Sequence, residues 1–331
     1  NRPLCVMGHG FLVVRSTNMD RRHFLSRVGH AAAASGVTLT AGSTNAREET
    51  PLGAAPLPHI SLGPHQISRL VVGSNPLLGY SYLGPHTDRH MKEYFTIART
   101  VDFLLTCERA GINTLQFSYT SKNNFGSIVR KVRERGSKMN FYCLARNPEE
   151  IRAAKAETNP FAVVHHGGVT DQRFAKGESS KVHDFVKAAH DEGLVAGVSA
   201  HNPDCIRRIA DAGWEVDFFM TCFYFLTRKA FAESNQGSVE PETLYLTYPF
   251  YKSDPQEMTK VIREVDQPCL AFKILAAGRK CKDQTVVEDA FKFAFQNIKP
   301  TDGVIVGMYP RFFDEIGANA QLTRKYGGGR A

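Results

Sequence analysis

The sequence predicts an α/β fold of the (β/α)8 TIM barrel class, a single domain that follows a separate N-terminal segment. Three observations predict it. Eight short apolar runs alternate with seven longer segments of helical period between Arg69 and Met308. The runs are apolar almost throughout, as strands are when helices cover both faces of a parallel sheet. The first run, "RLVVGSN", is followed by "PLLG" and not by G-x-G-x-x-G, so the dinucleotide fingerprint of an open doubly wound sheet is missing. Eight units in about 260 residues suit a closed barrel.

The strand candidates, in order, cover 69–75, 113–118, 140–146, 161–166, 194–201, 216–222, 268–275 and 302–308. Each is four to eight residues of mainly Val, Ile, Leu, Phe and Ala, the length and composition of a buried strand. The helix candidates between them are 94–111, 125–136, 148–157, 181–193, 204–213, 255–265 and 287–298. Their apolar residues recur at spacings of three and four, as in Ile128, Val129 and Val132. Several stop on a glycine (Gly111, Gly136, Gly193, Gly213) or open on a proline (Pro148, Pro255), the usual punctuation of helix ends.

With 42% hydrophobic residues and both charge signs spread along 331 positions, the chain has the composition of a globular protein. No apolar run approaches the roughly 18 residues that span a bilayer, so no stable membrane span is expected. From Met19 the chain reads "MDRRHFLSRVGHAAAASGVTLTAGSTNA", with Arg21 and Arg22 ahead of Phe24-Leu25, an Ala-rich stretch and a small-residue end at Thr44-Asn45-Ala46. This resembles a twin-arginine export signal, which implies the twin-arginine machinery as a partner and a periplasmic or exported destination. Asp20 and Ser26 stand where such signals often carry other residues. Residues 1–18 are read as an upstream extension, 19–46 as the signal, 47–66 as a linker, 67–326 as the barrel and 327–331 as a tail. The first 46 residues hold five arginines and one aspartate, +4 of the formal +8. The remainder has no basic run dense enough for nucleic acid. Its six cysteines form no C-x-x-C pair, which leaves zinc ribbons and dithiol chemistry unsupported.

In a barrel of this class the chemistry stands at the carboxyl ends of the strands. Those ends offer Ser74 and Asn75, then Gln116, Ser118 and Tyr119, then Arg146 and Asn147, then His165 and His166 in "VVHHGG". They continue with Ser199, His201 and Asn202, with Thr221, Cys222 and Tyr224, with Lys273, and with Gly307. Side chains alternate along a strand, so only one of His165 and His166 can enter the barrel mouth. Lys273, expected inside a strand, needs a partner such as Asp171 or Asp217, or a task. A desolvated lysine with a lowered pKa suits a base or a Schiff-base nucleophile. His166, His201 and Asp171 are metal-ligating types, but no local spacing supports a metal.

Five blocks, "ISRLVVGSNPLLG", "CERAGINTLQFS", "GLVAGVSAHNPDCIRRI", "LAFKILAAG" and "GVIVGMYPRFFDEIGANAQL", resemble the aldo/keto reductase superfamily across most of residues 60–326. The resemblance implies an oxidoreductase using NADP(H) on a carbonyl or hydroxyl of a small polar, sugar-like molecule. It also implies a catalytic tetrad of Asp, Tyr, Lys and His, and here the sequence departs from it. Gln116 stands for the aspartate, Ser121 takes the tyrosine spacing with Tyr119 as the nearby substitute, and Ala145 or Arg146 stands for the lysine. Only the histidine is kept, as His165 or His166. For the cofactor the resemblance implies Ser199 with His201 or Asn202 at the carboxamide, and Gly307, Arg311 and Asn319 at the phosphate. The alternatives are a cofactor-free lyase or isomerase using Lys273 and His166, and a barrel that binds without catalysing. The export reading predicts that residues 19–46 fused to a folded reporter send it out of the cytoplasm, and that replacing Arg21 and Arg22 by lysines stops this; cell fractionation measures it.

Overall fold

A hairpin leads into the barrel. The computed structural model describes residues 55–228 and 248–328. In it β1 (His59–Leu62) and β2 (His65–Ser68) pair antiparallel, with Leu62 opposite His65. The two-residue turn between them needs the positive φ of Gly63, +55°. The hairpin carries Ile60, Leu62 and Ile67 against the interior side chains at the amino ends of the strands and stoppers that end. The segment expected as a plain linker over 47–66 therefore holds part of the fold. Residues 1–46, with the expected extension and signal, lie outside the described residues, as do 329–331 of the expected tail.

Eight parallel strands close in the order β10–β3–β4–β5–β6–β7–β8–β9. They are β3 (Leu70–Gly73), β4 (Thr114–Ser118), β5 (Asn140–Ala145), β6 (Ala162–His165), β7 (Val195–Ala200), β8 (Phe218–Cys222), β9 (Cys269–Phe272) and β10 (Gly303–Gly307). Every one falls inside its predicted span. The closing pair sets Val304 against Leu70 and Gly307 against Gly73.

The outer layer comprises α1 (Asn75–Leu78), α2 (Pro85–Tyr94), α3 (Ile97–Arg109), α4 (Phe125–Glu134), α5 (Pro148–Thr158) and α6 (Gly167–Ala175). It continues with α7 (Ser180–Asp191), α8 (Pro203–Asp211), α9 (Asp254–Glu264), α10 (Gln284–Asn297) and α11 (Glu315–Gly327). The predicted helix over 94–111 starts later than its periodicity suggests. Thr96 is extended and accepts a hydrogen bond from the Arg99 amide, a side-chain cap that opens α3 two residues after α2 has ended. Helices α1, α2, α6 and α11 had no counterpart among the expected elements. None of the described helices is long and apolar enough to cross a membrane.

Two apolar layers follow from strand alternation. Val71, Tyr142, Val164, Phe218, Met220, Leu270 and Ile305 fill the barrel, while Val72, Leu115, Phe117, Val163 and Phe219 face the helices. Arg69 ties the last helix to the base. Its buried guanidinium donates to the carbonyls of Asp302, Lys299 and Gly327 and lies 5.0 Å from the centre of the Phe295 ring. Inside, Gly197 is small because its neighbours are large: an added Cβ would sit 2.8 Å from Phe218 Cζ and 2.9 Å from Val164 Cγ2. Gly197→Val is expected to cost about 1–3 kcal/mol through overpacking, read as a lower urea midpoint with an unchanged slope.

Candidate active site

The stopper closes one end of the barrel, so the strand carboxyl ends form its open mouth. There a cleft of about 390 Å³ lies above β3, β4, β9 and β10. Tyr80, Tyr82 and Leu83 wall it from the loop after α1, His90 and Met91 from α2, and Tyr309, Phe312 and Glu315 from the segment after β10. Gly73 and Gly307 let the strands meet closely beneath it; a Cβ on Gly307 would lie 2.7 Å from Pro76 Cδ.

Backbone strain concentrates at this cleft. Among the described residues five non-glycines have positive φ: Asn159, which ends α5, and Tyr82 (58°), Lys273 (60°), Ala276 (50°) and Ala277 (49°). The last four stand at the cleft or in the loop that walls it. The left-handed conformation costs an L-residue roughly 1–2 kcal/mol, and such strain gathers where a side chain must be held for a purpose.

The strain brings Lys273 and Tyr82 together. Lys273 stands one residue past β9, not within a strand, and its ammonium lies against the Tyr82 ring. Its Nζ lies 4.7 Å from the centre of the Tyr82 ring and 4.8 Å from that of Phe272. Burial pulls its pKa down, but Tyr82, Cys222 and Tyr248 outweigh burial and hold the lysine above its ordinary value. The expectation of a lowered pKa is thereby corrected: aromatic faces and a phenol keep this lysine a cation. Its anticipated carboxylate partners are committed elsewhere. Asp217 bonds His190 and the Ala196 amide. Asp171 accepts from the His201 ring, the His201 and Asn202 amides and the Thr227 hydroxyl.

Gln116 faces the same cleft from β4, opposite Gly73 in the ladder. Its Nε2 is buried with no hydrogen-bond partner among the described residues. An unspent donor aimed into a cleft is a group waiting for a ligand oxygen.

The two histidines separate by parity. Ala162 and Val164 point into the barrel, so the next inward position is His166, which precedes α6 as its N-cap. Its Nδ1 is buried and unpartnered. Burial first, then the charges of Arg146, His201 and Lys273, push its pKa down to about 4, so the imidazole is neutral at pH 7. His165 turns outward: its Nδ1 pairs with Thr170 Oγ1 at 2.7 Å and its ring meets Phe185 edge-on. It leaves the candidate site as a correction, and so does Tyr119. That side chain also points outward, its hydroxyl donating to Glu157 at 2.9 Å, and burial pushes its pKa up to about 12. Arg146 is drawn aside to Glu150. Tyr82 and Glu315 were missed because their elements carry no strand or strand-end signal. The one hint was the composition of "GYSYLG", with two tyrosines among turn residues after the first strand.

The groups expected to hold a dinucleotide do not form such a grip. Asn202 spends its side-chain oxygen capping α8, accepting from the Asp204 amide at 3.0 Å. Ser199 is buried beside Gly167, where a Cβ would come within 2.9 Å of its hydroxyl. Phosphates bind at helix N-termini through free amides and positive potential, and at the start of α11 the Glu315, Gly317 and Ala318 amides are already bonded. Asp314 accepts from the Gly317 amide, Glu315 accepts from the Tyr309 amide, and the Glu315 and Ala318 amides are bonded to carbonyls. Arg311 is exposed and donates to the Tyr309 hydroxyl, while Asn319 is buried within the helix. Two carboxylates thus occupy the place of the phosphate, and the residues present do not fit NADP(H) there. Among the described residues no group of three metal-ligating side chains gathers.

No protein-family model and no curated protein matches the chain. Solved structures do. A Pseudomonas aeruginosa protein assigned as an aldo-keto reductase superposes with a TM-score of 0.50 at 18% identity, covering 80% of this chain and 95% of that one. The glycerol dehydrogenase of Gluconobacter oxydans gives 0.48 at 12% identity, with coverages of 82% and 90%. A truncated 3-deoxy-D-arabino-heptulosonate 7-phosphate synthase from Thermotoga maritima gives 0.46 at 11%, again with 82% and 90%. The likeness is one of fold.

Both buried imidazoles titrate in the folded chain below the 6.5 of a free histidine, His166 at about 4 and His165 at about 3. The unfolded chain therefore binds more protons over this window. Stability is full above pH 6.5 and is lost as pH falls toward 4. Urea unfolding should give a lower midpoint at pH 5 than at pH 7.5, and His165→Leu should narrow the difference.

Proposed function

We propose that this protein is an enzyme acting on a small hydroxy-carbonyl compound, an isomerase or lyase that exchanges protons with the substrate through its own side chains. One observation carries the reading: Lys273 and Tyr82, both in left-handed backbone, meet in the cleft with the ammonium 4.7 Å from the centre of the phenol ring. An ammonium beside a phenol stabilises the phenolate. Tyr82 can therefore hand its proton to a carbonyl oxygen and take it back, with Lys273 offsetting the charge at each stage. The unspent Gln116 amide supplies a donor for the same oxygen. His166, neutral and facing the mouth, is a positioning group for a substrate hydroxyl. The route of export expected from residues 19–46 suits such chemistry, because free dinucleotide is scarce outside the cytoplasm.

A carbonyl reductase is the second reading. The same Tyr–Lys pairing favours it, since the reductases that the sequence resembles deliver a proton from a tyrosine tuned by a lysine. It requires a dinucleotide anchored away from α11.

The two readings part in one experiment. The purified protein, with no dinucleotide added, is offered α-hydroxy aldehydes and ketones from dihydroxyacetone to the free hexoses, and products are followed by NMR. Turnover is expected, and Tyr82→Phe and Lys273→Met should each lower it by roughly 10²–10⁴-fold. Turnover that appears only with NADPH, with saturable NADPH binding by fluorescence, would replace this reading by the reductase.

A further inference from the structure

The cleft holds a second proton-transfer group that the Tyr82–Lys273 pair does not use. Glu315 is the only acidic side chain among the residues that line it. Its Oε2 is fixed by the Tyr309 amide at 2.7 Å, and Oε1 takes no hydrogen bond from any described residue. No lysine or arginine among the described residues pairs with it. It lines the cleft with Tyr309, Phe312 and Cys281, and burial raises its pKa above the ordinary carboxylate value despite the bond from Tyr309. As a cap it is redundant, because Asp314 already accepts from the Gly317 amide at the start of α11. Glu315 enters after β10, Lys273 after β9, Tyr82 after α1 and Gln116 from β4. Oxygen-side and carbon-side groups are thus supplied from different walls of one cavity.

We infer that Glu315 is the carbon-side base of this site, and that the reaction is the interconversion of an α-hydroxy aldehyde and its ketone. The inference rests on the reading of the cleft as a proton-transfer site. In the first step the Glu315 carboxylate takes the proton from the carbon next to the carbonyl. The C–H electron pair becomes the new carbon–carbon double bond, and the carbonyl oxygen takes the proton of Tyr82, giving an enediol. In the second step the Tyr82 phenolate, held by Lys273, takes the proton of the neighbouring hydroxyl. Glu315 then returns its proton to the former carbonyl carbon. One carbon is reduced as its neighbour is oxidised, so atoms and electrons balance with no outside oxidant or reductant. A carboxyl in apolar surroundings is the type of group whose basicity is moved toward working pH for this step.

The test is deuterium exchange in D2O with the same α-hydroxy carbonyl panel, read by NMR on the full chain. Wild type is expected to wash deuterium into the carbon next to the carbonyl. Glu315→Gln keeps an acceptor for the Tyr309 amide and should fold; it is expected to lose roughly 10²–10⁴-fold in exchange. Glu315→Asp, which keeps the carboxylate, should recover part of the rate and retain the acid limb of the pH profile that the glutamine variant loses. If Glu315→Gln exchanges like wild type while Tyr82→Phe does not, the Glu315 assignment is overturned and the proton-transfer reading stands. If wild type exchanges with none of the panel, the reading of the cleft falls and the assignment with it.

Discussion

Everything at the mouth depends on closure of the ladder between β10 and β3. Pairing Gly307 with Gly73 leaves no free sheet edge and fixes, for each strand, which residues point inward. From that single constraint follow the inward Gln116, the inward His166 and the outward His165. The hairpin completes it by stoppering the amino end with Ile60, Leu62 and Ile67, so that only the carboxyl end is open to a ligand. Small residues are used where the closure is tightest. Gly197 makes room for Phe218, and Gly307 for Pro76.

A closed barrel of this kind is rigid, and a rigid frame can hold side chains in conformations they would not choose. Four left-handed non-glycine residues at one cleft represent several kcal/mol of local cost, which the surrounding packing must offset. That cost has an observable return in the geometry. With Lys273 in a regular strand its side chain would follow the strand's alternation; the positive φ instead lays its ammonium on Tyr82 and Phe272. Those aromatic faces keep a buried cation charged without a carboxylate, which leaves Asp171 free to gather the β7 and β8 loops through His201, Asn202 and Thr227.

The fold was legible because a parallel barrel writes its strands as uninterrupted apolar runs, and all eight were found in place. The site was legible only in part, for reasons of physics. Gln116 and His166 lie on strands or at their ends, where position along the chain implies position in the barrel. Whether His165 or His166 faced the mouth turned on a register of one residue, which apolar runs without alternation do not mark. Tyr119 continues the outward parity of Leu115 and Phe117 and bonds Glu157, so its closeness in sequence to the expected tyrosine position did not carry it into the mouth. The charge state of Lys273 depends on Tyr82, nearly two hundred residues earlier in the chain, so no local pattern could report it. The one-turn α1 is too short for periodicity to be readable, and α2 buries none of its residues and so carries no apolar stripe.

The relation to the reductases that the sequence resembles is best argued at the start of α11. A helix N-terminus has two uses in a barrel of this class: its amides can grip a ligand's phosphate, or they can be satisfied by the chain's own acids. Here Asp314 makes the second choice at the Gly317 amide, while Glu315 accepts from the Tyr309 amide of the preceding loop. The two carboxylates lower the positive potential a phosphate would need, and Glu315 shares the lining of the cleft with Lys273 and Tyr82. In the proposed site two neighbouring side chains divide the work, Asp314 capping the helix and Glu315 serving as the base. The proton donor and the base of that site come from the loops after β3 and β10, and the ends of β4 and β5 supply neither. Tyr119 and Arg146 serve the outer layer, bonded to Glu157 and Glu150.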